Sequence, residues 1–426
     1  MAHYRISTLA HYYMFWNYLK ITLAVMQRRK FFTFISLFGI SFTLLILILL
    51  TSFFDHLLGP NYPEWDRDRM LYIQMLQQKN SAKGWSNTGP MSFSFAQKFV
   101  KTLKTPEKIS IATTPNTINT YAGGKKLKLI FRHTDAEFWE LTQFEFLEGK
   151  PYTQHDIDNN AFYVVISDRA RDDYFGKDAP AVGKTMEVDN VVYRVAGVVR
   201  GCPITRLNTT SDLWFPYNTV KYDLKNPRYM GSFSAMLLAS SEAATKDVQA
   251  EYAEVVSKVK PWEADFDLFL SYADPYTASY TRNMMGDVTN DGKSMFIGFL
   301  VGFALLFMLL PALNLINLNI SRILERASEI GVRRACGASA KNLVVQFTVE
   351  NVIIAVIGGI LALVLAAGTI WFFNHSALFA YADFRLNWLV AGIAFLLSLL
   401  FGLLSGVYPA WRMSKMLPSE ALKNAE

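Results

Sequence analysis

Charge is scarce in this chain of 426 residues: Asp, Glu, Lys and Arg make up 18%, against about 25% in soluble proteins. That shortage excludes a wholly soluble protein. Cysteine is scarcer still, with two residues, and histidine numbers six. Cys202 and Cys336 are expected on opposite sides of a membrane, so no structural disulfide is expected within the chain. The histidines at 3, 11, 56, 133, 155 and 375 show no metal-ligand spacing. Gly183-Lys184-Thr185 looks like the end of a phosphate-binding loop, but position 178 is Asp where such a loop needs glycine. The stretch from Asp287 to Gly292 opens like a calcium loop, yet its twelfth position is Gly298 rather than a bidentate Glu. There is no Gly-x-Ser-x-Gly elbow, and His155 with Asp156 and Asp158 reads as a solvated loop beside Asn159-Asn160. The expectation is therefore no catalytic site, no metal and no cofactor in this chain. It is not read as an enzyme.

What the sequence has instead is long apolar runs. They lie near 33–54, 295–318, 348–373 and 388–411, each long enough to cross a hydrocarbon core of roughly 30 Å as a helix. Basic residues flank them unevenly. Lys20, Arg28, Arg29 and Lys30 precede the first run; Arg322, Arg326, Arg333, Arg334 and Lys341 lie between the second and third; Arg412, Lys415 and Lys423 follow the fourth. The 374–387 loop has only Arg385. Because positive residues stay on the cytoplasmic side, both termini are expected inside and the large middle segment outside. The formal charge of +6 is thus a membrane signal and implies no nucleic-acid partner.

The expected organisation follows. Residues 1–30 form a cytoplasmic or interfacial amphipathic helix against membrane lipid, with Tyr12, Tyr13, Phe15, Trp16 and Tyr18 beside Lys20. Arg28-Arg29-Lys30-Phe31-Phe32 looks like a twin-arginine signal, but a positive flank on an uncleaved helix is the simpler reading. Transmembrane helices are expected over 31–54, 291–318, 343–373 and 388–411. An extracytoplasmic domain fills 55–290, a cytoplasmic helix 319–342, a short outer loop 374–387 and a cytoplasmic tail 412–426. The fold class is an α-helical membrane protein with four transmembrane helices and a large α+β extracytoplasmic domain.

That domain reads as mixed. Met70–Met75, Ile109–Thr113, Leu127–Arg132, Tyr163–Ile166 and Val191–Val199 have the alternation and β-branched content of strands. Phe93–Leu103 and Ala243–Val259 have helical spacing. The strand–helix order of 70–103 recurs over 235–260, with strand-rich 120–217 between, as one subdomain inserted in another would give. In the spans, Glu350 is expected at the cytoplasmic boundary, held in the interface or by a basic neighbour. Gly358, Gly359, Gly402 and Gly406 are small residues suited to close helix packing.

The informative stretch is Glu325-Arg-Ala-Ser-Glu-Ile-Gly-Val-Arg-Arg-Ala-Cys-Gly-Ala338. Ile320, Ile323, Leu324, Ala327 and Ile330 recur at helical spacing, and Glu329 pairs in the favourable order with Arg333 at i, i+4. Gly337 is placed to end this helix and Ser339 to cap the next. The stretch resembles the Glu-Arg-x-x-Glu-Ile-Gly-(Ile/Val)-Arg-(Lys/Arg)-Ala-x-Gly-Ala signature of FtsX/MacB-type ABC-transporter permeases, the type VII or mechanotransmission family. Asn317 and Gln346 to Glu350 also match. The tail from Gly406 through Pro409-Ala410 to Pro418-Ser-Glu-Ala-Leu422 looks like that family's ending. Val165 to Asp168, Phe175-Gly176, Val182 to Lys184 and Tyr193 to Val199 resemble its MacB-like extracytoplasmic (periplasmic) core. Cys336 and Ser414 depart mildly from the pattern.

The resemblance implies a dimer, of identical chains or with a related permease, in the bacterial inner membrane. It implies a partner ABC ATPase that binds ATP and Mg, docked on Glu325, Arg326, Glu329, Ile330, Gly331, Arg333, Arg334 and Gly337. With no Walker-type loop and about 30 residues before the first span, the ATPase is expected on a separate polypeptide. The function implied is export or efflux of a substrate from the outer face, with a periplasmic adaptor and an outer-membrane channel as further candidate partners. The alternatives are an FtsX-like regulator that activates a cell-wall hydrolase, a lipoprotein-releasing permease, and a passive membrane-anchored binding domain.

Overall fold

The computed structural model describes residues 30–285, 290–325, 340–376 and 383–397, with isolated positions between 16 and 28 and at 381, 399, 400 and 403. The chain divides into two compact units: Met1–Asp55 with Gly298–His375 and Phe384–Glu426, and His56–Ile297 with Ser376–Asp383. The first helix, α1 (Lys30–Leu58), gives all but its last residues to the first unit.

In the second unit the first strands are β1 (Met70–Ile73), β2 (Leu76–Lys79) and β3 (Ser86–Gly89), followed by α2 (Phe93–Phe95), which runs on as a π-helix over Ala96–Val100. β4 (Lys108–Thr113), β5 (Asn116–Ala122) and β6 (Lys125–Thr134) come next, then α3 (Glu137–Leu141), β7 (Phe146–Gly149) and α4 (Gln154–Asp158). β8 (Tyr163–Ser167), α5 (Asp168–Phe175), β9 (Thr185–Val188), β10 (Val191–Val199) and β11 (Leu213–Pro216) complete the inserted part. The chain returns through β12 (Phe233–Leu238), α6 (Thr245–Ser257), β13 (Leu268–Ser271), β14 (Asp274–Pro275) and α7 (Tyr276–Met285).

One sheet carries the path β14-β1-β12-β4-β6-β11-β8-β10-β7, with β5 on β6 and β9 on β10; a second runs β13-β2-β3. Strands from the two ends of the segment, β1 and β12, pair antiparallel next to the β14 edge, Met70 opposite Leu238. The inserted strands join them through the single pairing of Ala112 with Thr134. Within the insertion β6 with β11 and β8 with β10 are parallel, α5 lying in the crossover between β8 and β10.

Both faces of this sheet are covered, so apolar residues alternate between two cores rather than between core and water. Leu71, Ile73, Ala235 and Leu237 pack with Phe95, Val100 and Tyr252 on one side. Met70, Tyr72, Met236 and Leu238 pack with Phe138, Trp139 and Trp214 on the other. In the insertion Val165 and Trp214 face that second core, while Val164, Ile166, Leu213 and Phe215 build a third. A slip of one residue in β1 would exchange its two sets of partners.

The first unit adds α8 (Lys293–Glu325), α9 (Ala340–His375) and α10 (Trp388–Leu397) to α1. Among the described residues, Thr33–Leu58 and Val344–His375 are long and apolar enough to cross a membrane, and Lys293–Phe307 and Trp388–Leu397 are shorter apolar helices. Of the four expected spans, two correspond to helices that pass this test among the described residues. α1 turns Phe34, Phe38 and Phe42 outward at i, i+4 spacing, centroids 5.9 and 5.3 Å apart. Its inward face, Ile40, Leu44 and Ile48, packs on Ala355, Ala362 and Ala366 of α9 and Ala391 and Ala394 of α10. Glu350 is buried, as are Gln346 and Asn351.

Candidate coupling site

Three segments carry the chain between apolar helices and the sheet unit: the end of α1 onward, the β14–α7 segment, and the loop between α9 and α10. Each is held there by polar contacts, buried in the first segment and partly exposed in the third. The first is built on Glu64, which is 0% exposed. Arg67 donates to its Oε2 from Nη2 at 2.6 Å and Nε at 2.9 Å, Tyr72 Oη donates to the same oxygen at 3.1 Å, and Thr209 Oγ1 donates to Oε1 at 2.7 Å. Burial works against the charge. The guanidinium groups of Arg67 and Arg206 with the Thr209 hydroxyl outweigh it and hold the carboxyl below its usual range.

The two guanidinium groups also finish a helix. The last carbonyls of any α-helix lack partners within it. Here Arg67 Nη1 donates to Leu57 O at 2.8 Å and Gly59 O at 3.1 Å. Arg206 donates to His56 O at 2.6 Å and Gly59 O at 3.1 Å. Cations at a helix C-terminus also meet the negative end of its dipole. One carboxylate and a helix end thus balance two buried guanidinium groups. Arg206 sits in a loop that Arg132 of β6 holds by donating to the carbonyls of Leu207, Asn208 and Thr210. The neighbouring Cys202 is a free, buried thiol whose pKa burial pushes up to about 12.

The same cluster reaches the second segment. Arg67 lies 3.6 Å above the Tyr276 ring at the start of α7, and Tyr72 meets that ring edge-on at 5.4 Å. Six residues on, Arg282 of α7 clasps Asp274 of β14 through Nε at 2.6 Å and Nη2 at 3.1 Å, a bidentate pair with both side chains near 10% exposed. Since β14 pairs with β1, α7 is fixed to the sheet. In the third segment Tyr381 Oη donates to Asp168 Oδ1 at 2.5 Å and accepts from the Arg169 N–H at 3.2 Å. Asp168 also accepts from the Gly201 N–H at 3.1 Å. Both Asp168 and Gly201 flank the ends of the parallel strands β8 and β10.

Residues 33–255 match the family described as MacB-like periplasmic core domain, and residues 301–418 match the FtsX-like permease C-terminal family. The chain belongs to the MacB-like, FtsX-type permeases. The "Macrolide export ATP-binding/permease protein MacB" of Pasteurella multocida (strain Pm70) is 26% identical over 298 residues, 69% of this chain and 42% of that protein. The "Pyoverdine export ATP-binding/permease protein PvdT" of Pseudomonas syringae pv. syringae (strain B728a) is 24% identical over 294 residues, 68% of this chain and 42% of that protein. The chain spans less than half the length of these relatives. The crystal structure of the periplasmic region of MacB from Actinobacillus actinomycetemcomitans aligns over 50% of this chain and 92% of that one, with 18% identity and a TM-score of 0.36.

In this permease Glu325 is the last residue of α8, while Arg326, Glu329, Ile330, Gly331, Arg333, Arg334 and Gly337 lie outside the described residues, as do Gly402 and Gly406. Gly358 and Gly359 are placed within α9. A Cβ on Gly358 would lie 2.8 Å from Ile40 of α1, and one on Gly359 would lie 2.3 Å from the Phe395 ring of α10. Both contacts are within one chain. The calcium-like stretch from Asp287 falls partly outside the described residues, and among those described no group of three His, Cys, Asp or Glu side chains could hold a metal. Asp156 and His155 belong to α4, where Asp156 closes a capping box with Thr153 and His155 touches Asn159. Glu64, Arg67, Arg206 and Tyr381 escaped the sequence reading. They sit in irregular segments, where no periodicity marks a buried charge, and only the i, i+3 spacing of Glu64 and Arg67 hinted at a pair.

Proposed function

We propose that this permease is the transmembrane subunit of an ABC transporter in which a partner ATPase moves the outer domain and so drives export of a substrate from the outer face of the membrane. The reading has the chain cross the membrane four times with both termini inside, and work as a dimer. ATP and Mg are bound by the partner, which docks on the helix from Glu325 to Gly337. An adaptor and an outer-membrane channel would extend the path in a two-membrane cell. The substrate passes along the outer domains and not between the helices.

The observation that carries this reading is the anchoring just described. A passive tether between a membrane helix and a binding domain needs only flexible chain. Here the last turn of α1 is capped by two side chains of the sheet unit, α7 is clasped to β14, and the α9–α10 loop is bonded at β8. All three contacts lie within the sheet unit, and they support the reading that it is displaced as one body. The export functions in the names of the MacB and PvdT relatives point the same way.

The test is purification of the tagged permease in mild detergent, reconstitution with the ATPase that accompanies it, and spin-label distances between outer domains. The expected result is a separation that differs between ATP-trapped and ADP states. Distances that ignore the nucleotide, with hydrolysis running, would sink the mechanical reading.

A further inference from the structure

The inserted part of the sheet unit holds an open cavity of ≈ 240 Å³ that no element of the coupling site uses. Its wall is made of four rings. Phe215 of β11 lies 4.4 Å from Tyr193 of β10, 5.5 Å from His133 and 6.2 Å from Phe131 of β6, centroid to centroid. Phe215 and Tyr193 belong to the third core, so their positions are fixed by packing on the far side. Ile118, Val188 and Val220 complete the aliphatic lining.

Charge around the mouth is already matched. Lys221 is paired with Asp189, whose carboxylate and carbonyl both accept from its Nζ. Tyr222 is bonded to Ser232. Burial lowers the His133 imidazole to about 4, so it is neutral at physiological pH. An ion entering here would lose hydration and meet no unpaired counter-charge. A flat apolar group would lose nothing of that kind and would gain ring contacts beyond the burial of its area. The volume is below the roughly 300 Å³ at which pockets accept drug-sized ligands.

We propose that this cavity is a ligand site for a small uncharged aromatic compound of one or two fused rings. The proposal is independent of the transport reading, because binding there needs neither ATP nor a partner.

The test uses the full chain in lipid nanodiscs at pH 7.4, with indole as the probe and saturation-transfer difference NMR as the readout, empty nanodiscs being subtracted. Cyclohexanol and benzylammonium serve as aliphatic and cationic comparators. Indole should give a saturable signal, at least tenfold stronger in affinity than either comparator. Ile118→Trp and Thr219→Trp each place a ring in the cavity from a different side, and a folded variant of either should weaken indole at least tenfold. Lys221→Ala should leave indole unchanged and raise benzylammonium binding several-fold, since it strips Asp189 of its partner. A signal no larger than that of empty nanodiscs, indole binding unmoved in a folded Trp variant, or comparators binding as well as indole would each overturn the proposal.

Discussion

Tyr381 lies so close against Gly201 that a β-carbon there would sit 2.2 Å from the ring Cζ. The space glycine leaves is therefore filled by a residue of the α9–α10 loop, and the hydroxyl of that residue is bonded to Asp168.

Two substitutions separate packing from hydrogen bonding at this joint. Tyr381→Phe keeps the ring on Gly201 and loses a bond to a carboxylate, a class that contributes about 1.5–3 kcal/mol. Gly201→Val expels the ring. Hydrogen exchange should show faster exchange over 376–383 in both variants, larger in Gly201→Val, with β8 and β10 still protected. Unchanged loop exchange in Gly201→Val would show that the contact does not hold the loop.

The buried Glu64 cluster makes a sharper prediction. Glu64→Gln leaves two guanidinium groups in the interior without their carboxylate, and breaking a buried pair costs about 3–5 kcal/mol. The variant should unfold at a markedly lower temperature than wild type. The pH sign follows from the lowered carboxyl. Its folded value is below the ordinary 4.5, so its stabilisation is complete above that value and is lost as pH falls below it towards the folded value. Asp135 and Asp212 work the opposite way, because burial raises both carboxyls. The informative quantity is thus the difference between wild type and Glu64→Gln. It should be constant near neutrality and shrink below about pH 4.5.

Much of this architecture was legible in the residues. β1, β4, β6, β8 and β10 fall where these runs put them, because short runs rich in β-branched and aromatic residues mark strands even when both sheet faces are buried. The insertion was also readable, as the 70–103 order returning at 235–260. The pairing that makes one sheet of both parts was not. It rests on Ala112 opposite Thr134, a contact with no local signature. The joints to the apolar helices were hidden for the same reason. Arg206 and Tyr381 act through partners far away in sequence, and Arg132 looks like any polar residue on a strand.

Gly359 offers a test inside the apolar helices. A methyl group there would lie 2.3 Å from the Phe395 ring, so the ring or the helices must shift to admit it. Overpacking of this kind costs about 1–3 kcal/mol. Gly359→Ala should lower the thermal stability of the detergent-solubilised chain. Since the contact is between α9 and α10 of one chain, the oligomeric state by mass photometry should not change. A shift to monomer with unaltered thermal stability would instead place Gly359 at a contact between chains.

The last prediction concerns the cytoplasmic helix, read from sequence. ATP energy reaches the outer domain only if some rigid element responds differently to two states of the ATPase. The stretch from Ile320 to Gly337 is continuous in sequence with α8, which begins at Lys293 just beyond the α7 joint. On the proposed function, a push on that stretch is carried along the chain towards the segment that holds Arg282 and Asp274. Glu329→Lys reverses the charge that the i, i+4 spacing would set against Arg333 and against any basic groove of the partner. Gly331→Trp adds bulk where close approach to a protein surface is expected. Each variant should insert normally and keep the thermal stability of the outer domain. Each should also abolish permease-stimulated ATP hydrolysis in proteoliposomes and recovery of the ATPase in pull-downs. Arg282→Ala should behave differently: the ATPase stays bound and hydrolyses ATP, while the nucleotide-dependent change in outer-domain distance is lost. If Glu329→Lys or Gly331→Trp retains full stimulated hydrolysis, the helix is a connector and force enters the permease elsewhere.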